Sequence, residues 1–189
     1  MILDELFDIK LGILLNRVKS NEKTDFKCRA FTIKSIENST IIGNNLEEIY
    51  LKQETSGDIY SKEGDILMKG SLPFSFAYIP KEWEGILIPS NFYILRLKEE
   101  YKEKILPQYV FYKLHSNNIN NQFKRILQGN AAVITFNKQD LQAIELEIPK
   151  IDEQKKRLKL FNLMNKKLNF LRKKVELEEK LLKGIINNY

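Results

Sequence analysis

The sequence has few of the residues from which metal sites, disulfides and catalytic centres are built. Among its 189 residues it has one cysteine, Cys28, and one histidine, His115. A single cysteine excludes an internal disulfide, and one cysteine with one histidine cannot complete a zinc site of the Cys/His type. His115 lies in a segment with helical periodicity, where a surface or packed role is a simpler interpretation than a catalytic base or metal ligand. We therefore predict no metal site.

The sequence also lacks phosphate-binding motifs and long apolar runs. It has no P-loop, no glycine fingerprint for dinucleotides and no Asn-Pro-Pro-aromatic motif of methyltransferases, so we expect no cofactor. It has no apolar N-terminal signal and no apolar run of bilayer length. We therefore expect a soluble, cytoplasmic protein with no membrane partner.

One small group of residues is compatible with catalysis. Glu63, Asp65 and Lys69 have the acid-and-lysine composition of a metal-dependent nuclease site. However, Gly64 followed by Asp65 in front of an apolar run is first of all a turn signal. We therefore predict a non-catalytic protein and keep a nuclease as an alternative hypothesis.

Proline and glycine are scarce in residues 150–189, and this scarcity predicts a long helix. After Pro149 the chain has no proline, and its only glycine is Gly184. A helix that begins near Asp152 can therefore continue for about 35 residues, or roughly 50 Å.

The predicted helix carries an apolar seam with alternating three- and four-residue spacing, interrupted once by Glu178. Because the helix is longer than a domain of this size needs to cover its core, we expect this seam to pack on another chain, most simply in an antiparallel homodimer. A helix folded back on its own domain is the alternative. The seam residues are Phe161, Met164, Leu168, Leu171, Val175, Leu182 and Ile185. A second apolar set suits a further neighbour: Leu160, Leu163, Phe170, Leu177 and Leu181.

The net charge of +6 is unevenly distributed along the chain. Residues 1–149 carry 19 Lys and Arg against 20 Asp and Glu, whereas residues 150–189 carry 12 against 5. The excess positive charge therefore belongs to the long helix, and nucleic-acid binding by the first 149 residues must rest on local patches. One such patch lies between Arg17 and Lys34, although an ordinary solvated face explains it equally simply.

Residues 1–149 have the length of one ordinary domain. Short apolar runs bounded by turn residues predict strands at CRAFTI, STIIG, DILMKG, FSFAYI, GILI and FYILRL. Short helices are predicted at Leu3–Ile9, at 107–116 and through Phe123, and further strands at 133–136 and 143–149. We expect an α+β fold, with a mixed, curled β-sheet domain and short helices over residues 1–149, followed by one long α-helix over residues 150–189.

Five short segments occur in a recognisable order: ELFDIKLG, KEGDILMKG, LPQYVFYKLHS, NAAVITFNKQDLQAIELEIP and IPKIDEQKKR. This ordered set, which ends in a long helix and covers nearly the whole chain, resembles one half of a type I restriction-modification DNA specificity subunit. That half consists of a target-recognition domain and a conserved spacer helix. Full-length members of the family are similar to two such halves in tandem, with their two helices packed antiparallel.

The resemblance implies a non-catalytic module that reads double-stranded DNA. It implies as partners a methyltransferase subunit and, through it, a restriction subunit, placed together on a two-part site. Phosphate contacts set the register of such a module, and a few side chains read base edges. We predict a DNA-binding set of Lys19, Lys23, Lys27, Arg29, Lys69, Ser71, Lys124, Arg125, Gln128, Asn130 and Lys138. The other alternative hypothesis is a helical scaffold or interaction protein that does not bind DNA.

Overall fold

A computed structural model describes residues 1–55, 57–71, 74–129 and 137–187. Within these ranges the strands are β1 (Phe7–Leu11), β2 (Lys27–Ala30), β3 (Ile36–Glu37), β4 (Thr40–Ile41), β5 (Glu47–Tyr50), β6 (Ile66–Lys69), β7 (Phe76–Tyr78) and β8 (Phe92–Leu97). The helices are α1 (Leu3–Leu6), α2 (Leu15–Val18), α3 (Pro107–Leu114), α4 (Asn117–Gly129), α5 (Lys138–Gln142) and α6 (Ile151–Asn187).

The central sheet has four antiparallel strands in the order β1-β8-β6-β7. Its register places Phe7 opposite Leu97, and Ile66 opposite both Leu95 and Tyr78. Two smaller antiparallel ladders, β2 with β5 and β3 with β4, lie beside it. Single parallel bridges join Ile13 to Pro89 and Ala30 to Leu87. In the described part of the chain these sheets stay open and do not close into a barrel.

The central sheet is buried on both faces, which explains why β6 is apolar at successive positions. Ile66 and Met68 pack with residues of α1, α3, α4 and α5, whereas Leu67 points to the opposite face. There Leu67 meets a second core that includes Phe31, Ile36 and Ile88. Since side chains alternate along a strand, a sheet covered on both sides needs apolar residues at every position rather than at every second one.

Gln154 anchors the start of α6 to the sheet domain. Its side chain is fully buried, and its Oε1 accepts a hydrogen bond from Leu106 N at 2.9 Å. Its Nε2 donates to Lys104 O at 2.9 Å and to Pro149 O at 2.7 Å. A buried amide with three backbone partners fixes the direction in which the helix leaves the domain, because loss of any one bond would leave a buried polar group unpaired.

The α6 helix leaves the domain about three turns after this anchor. Tyr112 OH donates to Asn162 Oδ1 at 3.2 Å and accepts from Asn165 Nδ2 at 3.0 Å. Residues 163–186 are all exposed. The helix has 37 residues, which corresponds to about 55 Å. No helix in the described ranges is long and apolar enough to span a membrane.

The expected α+β fold class, with a sheet domain followed by a long helix, is confirmed, and so are the helices now seen as α3 and α4. The N-terminal prediction was partly wrong. The helix ends at Leu6, and Phe7 and Ile9 belong to β1, where both are buried and the strand pairs with β8. Two apolar residues two positions apart fit a strand, and the long pairing with β8 decides between strand and helix.

Two predicted strands are only extended segments. The GILI run makes single bridges through Leu87 to Ala30 and to Tyr60. In the described residues, the run before Pro149 makes one bridge, from Glu145 to Ile2, because the N-terminal segment beside it is short. The strand predicted at 133–136 lies outside the described residues. The predicted division into residues 1–149 and 150–189 stays a prediction, although α6 begins beside that boundary, at Ile151.

Candidate nucleic-acid interface

A cleft of about 1000 Å³ lies between the β3–β4 hairpin, the adjoining ends of β6 and β7, and the α3–α4 corner. Its walls bring together three segments that are far apart in the sequence. The residues lining it are Ile36, Glu37, Asn38, Ser39, Lys69, Phe74, Ser75, Phe76, Leu114, His115, Asn117, Asn120, Asn121, Phe123 and Lys124. The cleft is apolar at its base and carries amide, hydroxyl and charged groups at its rim, a combination suited to a polar ligand with flat apolar faces.

The tip of the β3–β4 hairpin forms one wall of this cleft. Asn38 and Ser39 both have positive φ angles, 47° and 62°. Two successive left-handed residues form the tight turn that matches the twist of a two-residue hairpin. Asn tolerates this conformation better than most residues, whereas Ser39 is held there by a tertiary contact.

His115 provides that contact. Its Nδ1 lies 2.8 Å from Phe111 O, and its Nε2 lies 2.7 Å from Ser39 Oγ. A carbonyl can only accept, so Nδ1 carries the proton, and in the neutral ring Ser39 Oγ donates to Nε2. The ring also packs edge-on against Phe76 and Phe111. His115 therefore ties the hairpin tip to the α3–α4 corner, which agrees with the structural role predicted for it.

One face of α4 forms the opposite wall. Ile119 and Phe123 are buried in the core, while Asn117, Asn120 and Asn121 are exposed and line the cleft. In the described ranges, none of these three amides has a hydrogen-bond partner for its side chain. Gln122, by contrast, is fully engaged with Asn118 and the backbone of Glu145. The cleft therefore presents amide groups that are free to bind a ligand.

Lys69, at the end of β6, and Lys124, on α4, line the same cleft. Within the described residues neither forms an ion pair, and the acid that shares the cleft with them is Glu37. The sequence prediction named both lysines but did not indicate that they line the same cleft. Two unpaired ammonium groups in one cleft can contact the phosphates of a nucleic-acid strand.

The predicted basic patch near β2 has a different environment. Lys19 pairs with Glu47 at 2.5 Å, and Lys27 pairs with Glu48 at 3.0 Å. The hydrogen bond and the charge of Glu48 raise the pKa of Lys27. Arg29 lies directly opposite Glu48 in the β2–β5 ladder. The strand pairing thus places an acidic strand against the basic one and reduces the positive field of this surface.

The remaining predicted DNA-binding residues are dispersed. Arg125 faces a second hollow on the other side of α4, together with Gln122 and Glu145, and is exposed. Lys23 is exposed in the loop before β2, Ser71 is exposed after β6, and Lys138 is exposed at the first position of α5. The side chain of Gln128 lies outside the described part of the structure, and so does the whole of Asn130.

One of the two acidic residues of the nuclease hypothesis, Asp65, has a structural partner. Asp65 is 1% exposed and receives two hydrogen bonds from Arg96, at 2.8 and 2.7 Å. These bonds raise the pKa of Arg96 above its ordinary value. The preceding Gly64 has a φ of 88°, which a tight turn requires and glycine adopts without strain. In the described ranges, no group of three His, Cys, Asp or Glu side chains could hold a metal ion. The Gly64-Asp65 pair is therefore explained by the turn and the ion pair.

The apolar seam of α6 is exposed along nearly its whole length. Phe161 is the exception, because its ring packs on Tyr112 with centroids 5.2 Å apart and it is only 38% exposed. The other six seam residues are about half exposed, and Phe170 of the second apolar set is 74% exposed. Glu178 lies 3.6 Å from Lys174, one turn earlier on the same helix. The described part of the helix therefore does not fold back on its own domain. The alternative that predicted such a fold-back is wrong.

Several residues of the cleft were missed by the sequence analysis, namely Asn38, Ser39, Asn117, Asn120 and Asn121. A usable signal was present in the run NNINNQF at 117–123, where two apolar residues four apart leave polar amides on the other faces of a helix. No sequence signal places the β3–β4 hairpin beside this helix.

Comparisons with known proteins identify the fold. No protein-family model matches the chain, and no curated protein matches it. Among solved structures, the chain is similar to the HsdS subunit from Thermoanaerobacter tengcongensis, with a TM-score of 0.69 and 17% identity over 92% of this chain and 43% of that one. A chain from a structure of the type I R-M system, described for its complex assembly and conformational transition, has a TM-score of 0.70 and 19% identity over 96% and 46%.

The chain thus spans less than half the length of these solved chains. Because the similarity takes in more than nine tenths of this chain, it includes the sheet domain and most of α6. The resemblance expected from the sequence is confirmed at the level of the fold: the chain folds like one half of an HsdS subunit.

Proposed function

We propose that this chain is a half-length DNA specificity subunit of a type I restriction-modification system. It reads one part of a bipartite duplex site, has no catalysis of its own, and positions a methyltransferase subunit and, through it, a restriction subunit. The observation that carries the proposal is the fold similarity to specificity subunits over 92–96% of the chain.

The cleft supports the DNA-binding part of this proposal. Within the described residues, Lys69 and Lys124 supply unpaired positive charge on a domain that is otherwise close to neutral, and three free amides line the same cleft. Phosphate contacts of this kind give an affinity that falls as salt concentration rises, because bound counterions are released. Amides at the same surface can hydrogen-bond to base edges.

The test of this part is a titration of labelled duplex DNA with the full chain at several salt concentrations. We expect the logarithm of the binding constant to fall linearly with the logarithm of the salt concentration. A chain that bound no duplex at low salt would contradict the proposal and favour the scaffold hypothesis.

The exposed seam of α6 supports assembly with a second copy. The chain carries one reading domain, and the seam residues from Met164 to Ile185 are about half exposed. Two helices packed antiparallel about a two-fold axis would bury both seams and hold two reading domains at opposite ends. Because the two readers would be identical, the DNA site would be an interrupted palindrome whose spacing is set by the helix.

The second apolar set then remains available to another partner. Phe170, Leu177 and Leu181 surround a shallow hollow together with Lys173, Lys174 and Glu178. An apolar surface bordered by two lysines and one glutamate suits a helix that carries apolar residues and charged residues of both signs. We assign this face to the methyltransferase subunit.

Replacing Leu168 and Leu171 with Asp tests the homodimer. We expect the wild-type chain to be dimeric and the variant to be monomeric in light scattering, since each charge buried in the seam would cost several kcal/mol. Binding to two-part sites should be lost, while binding to a single half-site should remain.

The matched control is Lys166→Gln with Asn169→Asp, which makes the same change in net charge at exposed positions away from the seam. This control should stay dimeric, and circular dichroism should show the same helix content in both variants. A wild-type chain that remained monomeric at high micromolar concentration would refute the homodimer and leave a different subunit as the partner of the seam.

A further inference from the structure

The cleft-facing side of α4 is a regular polar stripe. Asn117, Asn120, Asn121 and Lys124 occur at positions i, i+3, i+4 and i+7, and all four are exposed and line the cleft. These positions form one face of a helix and span about 10 Å along its axis. The stripe is therefore a single surface on one side of an α-helix, and the major groove of DNA, about 12 Å wide, admits an α-helix.

The amides of this stripe have unused hydrogen-bonding capacity. Each Asn side chain offers a carbonyl acceptor and an NH₂ donor, and in the described ranges Asn117, Asn120 and Asn121 use neither group within the protein. Gln122, one position off the stripe, makes two hydrogen bonds that tie α4 to the backbone of Glu145, and a third to Asn118 one turn earlier on the same helix. The helix thus separates amides that hold the fold from amides that are left free.

A free Asn side chain has the hydrogen-bonding groups that match the major-groove edge of one base, adenine. In the major groove adenine presents the N7 acceptor beside the N6 amino donor, and an Asn side chain pairs with both at once. Guanine presents two acceptors, O6 and N7, so the carbonyl of an Asn finds no donor there. A stripe of free Asn residues therefore favours adenine over guanine.

We propose that α4 enters the major groove and that Asn120 and Asn121, assisted by Asn117, read an adenine in the half-site. The inference rests on the proposed DNA-reading function and specifies which helix and which base carry part of it. Lys124, at the end of the stripe, contacts the adjacent phosphate backbone and fixes the register of the helix.

The first experiment selects preferred sites from a randomised duplex library with the full-length chain and with Asn120→Ala/Asn121→Ala. We expect the wild type to enrich a site with a fixed adenine and the variant to lose that adenine while other positions stay fixed. Because Ala favours helix more than Asn, α4 should remain folded, which a thermal melt can verify. The matched control is Asn118→Ala, an exposed amide on α4 that does not line the cleft, and this variant should select the wild-type site.

The second experiment probes the contact itself. Replacing the selected adenine with 7-deazaadenine removes the N7 acceptor and leaves base pairing intact. Because only one of the two hydrogen bonds of the bidentate contact is lost, wild-type binding should weaken by about 5- to 10-fold, the lower end of the range for loss of a whole bidentate contact. The double variant should bind both duplexes equally.

The outcomes separate this inference from the proposed function. If the wild type selects a site but the double variant selects the same one, or if 7-deazaadenine weakens both proteins equally, α4 does not read that base and the inference fails alone. If the wild type selects no sequence, the DNA-reading function itself is overturned, and the inference with it.

Discussion

Two basic surfaces of the domain, the β2–β5 ladder and the cleft, differ in a way that the sequence does not show. The ladder draws on the denser cluster of Lys and Arg, yet Glu47 and Glu48 lie against it and pair with Lys19 and Lys27. The cleft has only Lys69 and Lys124, which come from distant segments and remain unpaired in the described ranges. The density of charged residues along a sequence is therefore a poor measure of the electrostatic potential at the protein surface that would contact DNA.

The largest effect is expected from replacing Lys69 and Lys124 with Ala. DNA affinity should fall, and the salt dependence should flatten by about two units, one for each lost phosphate contact. The matched control, Lys19→Ala with Lys27→Ala, removes the same charge from the β2–β5 ladder. It should change the slope by less than half a unit, since each lysine there is already neutralised by a glutamate. Titrations of one duplex at several salt concentrations measure both.

An equal loss of slope in both double variants would contradict the comparison, because it would mean that paired and unpaired lysines contact phosphate alike. A loss of slope confined to the variant with Lys19→Ala and Lys27→Ala would move the interface to β2 and β5. Replacing Arg125 alone adds a further distinction. Arg125 faces away from the cleft although it follows Lys124 directly in sequence, so its removal should affect the slope less than removal of Lys124.

An intermediate effect is expected from removing the glutamates that pair with Lys19 and Lys27 at the β2–β5 ladder. Glu47→Gln with Glu48→Gln frees Lys19 and Lys27, so non-specific DNA affinity should rise and the salt slope should steepen by one to about two units. The fold should persist, because exposed ion pairs contribute only about 0–1 kcal/mol each to stability. Glu82→Gln with Glu84→Gln gives the same change in net charge at exposed positions and serves as the control. If both variants gained affinity equally, net charge rather than local pairing would govern binding.

The parts of the fold that could be predicted from sequence are those with a strong local period. The α6 helix follows from a long seam without proline, and α3 and α4 follow from apolar residues three and four apart. The β1 and β5 strands were missed for a physical reason. Residues Phe7–Leu11 and Glu47–Tyr50 are short and half polar, and they become strands because β8 and β2 offer their backbones a partner.

The candidate site was predictable only in its components. Lys69 and Lys124 were named from their polar, turn-rich surroundings, but their convergence depends on contacts between segments more than 50 residues apart. The free amides of α4 were passed over because polar residues on a helix usually face solvent. Whether a polar side chain is engaged, as Gln122 is, or free, as Asn120 is, depends on tertiary neighbours that no local pattern encodes.

The smallest effect is expected from Glu37, the acid that shares the cleft with the two unpaired lysines. Its carboxylate repels phosphate, and at the exposed rim this repulsion is limited to about 1 kcal/mol by the high dielectric constant of water. Glu37→Gln should therefore raise DNA affinity by no more than about fivefold, with a slightly steeper salt slope. Glu37→Asp keeps the charge and should bind like the wild type. A Gln variant that instead lost affinity for sites with one particular cytosine would show that Glu37 accepts from the cytosine amino group and reads sequence itself.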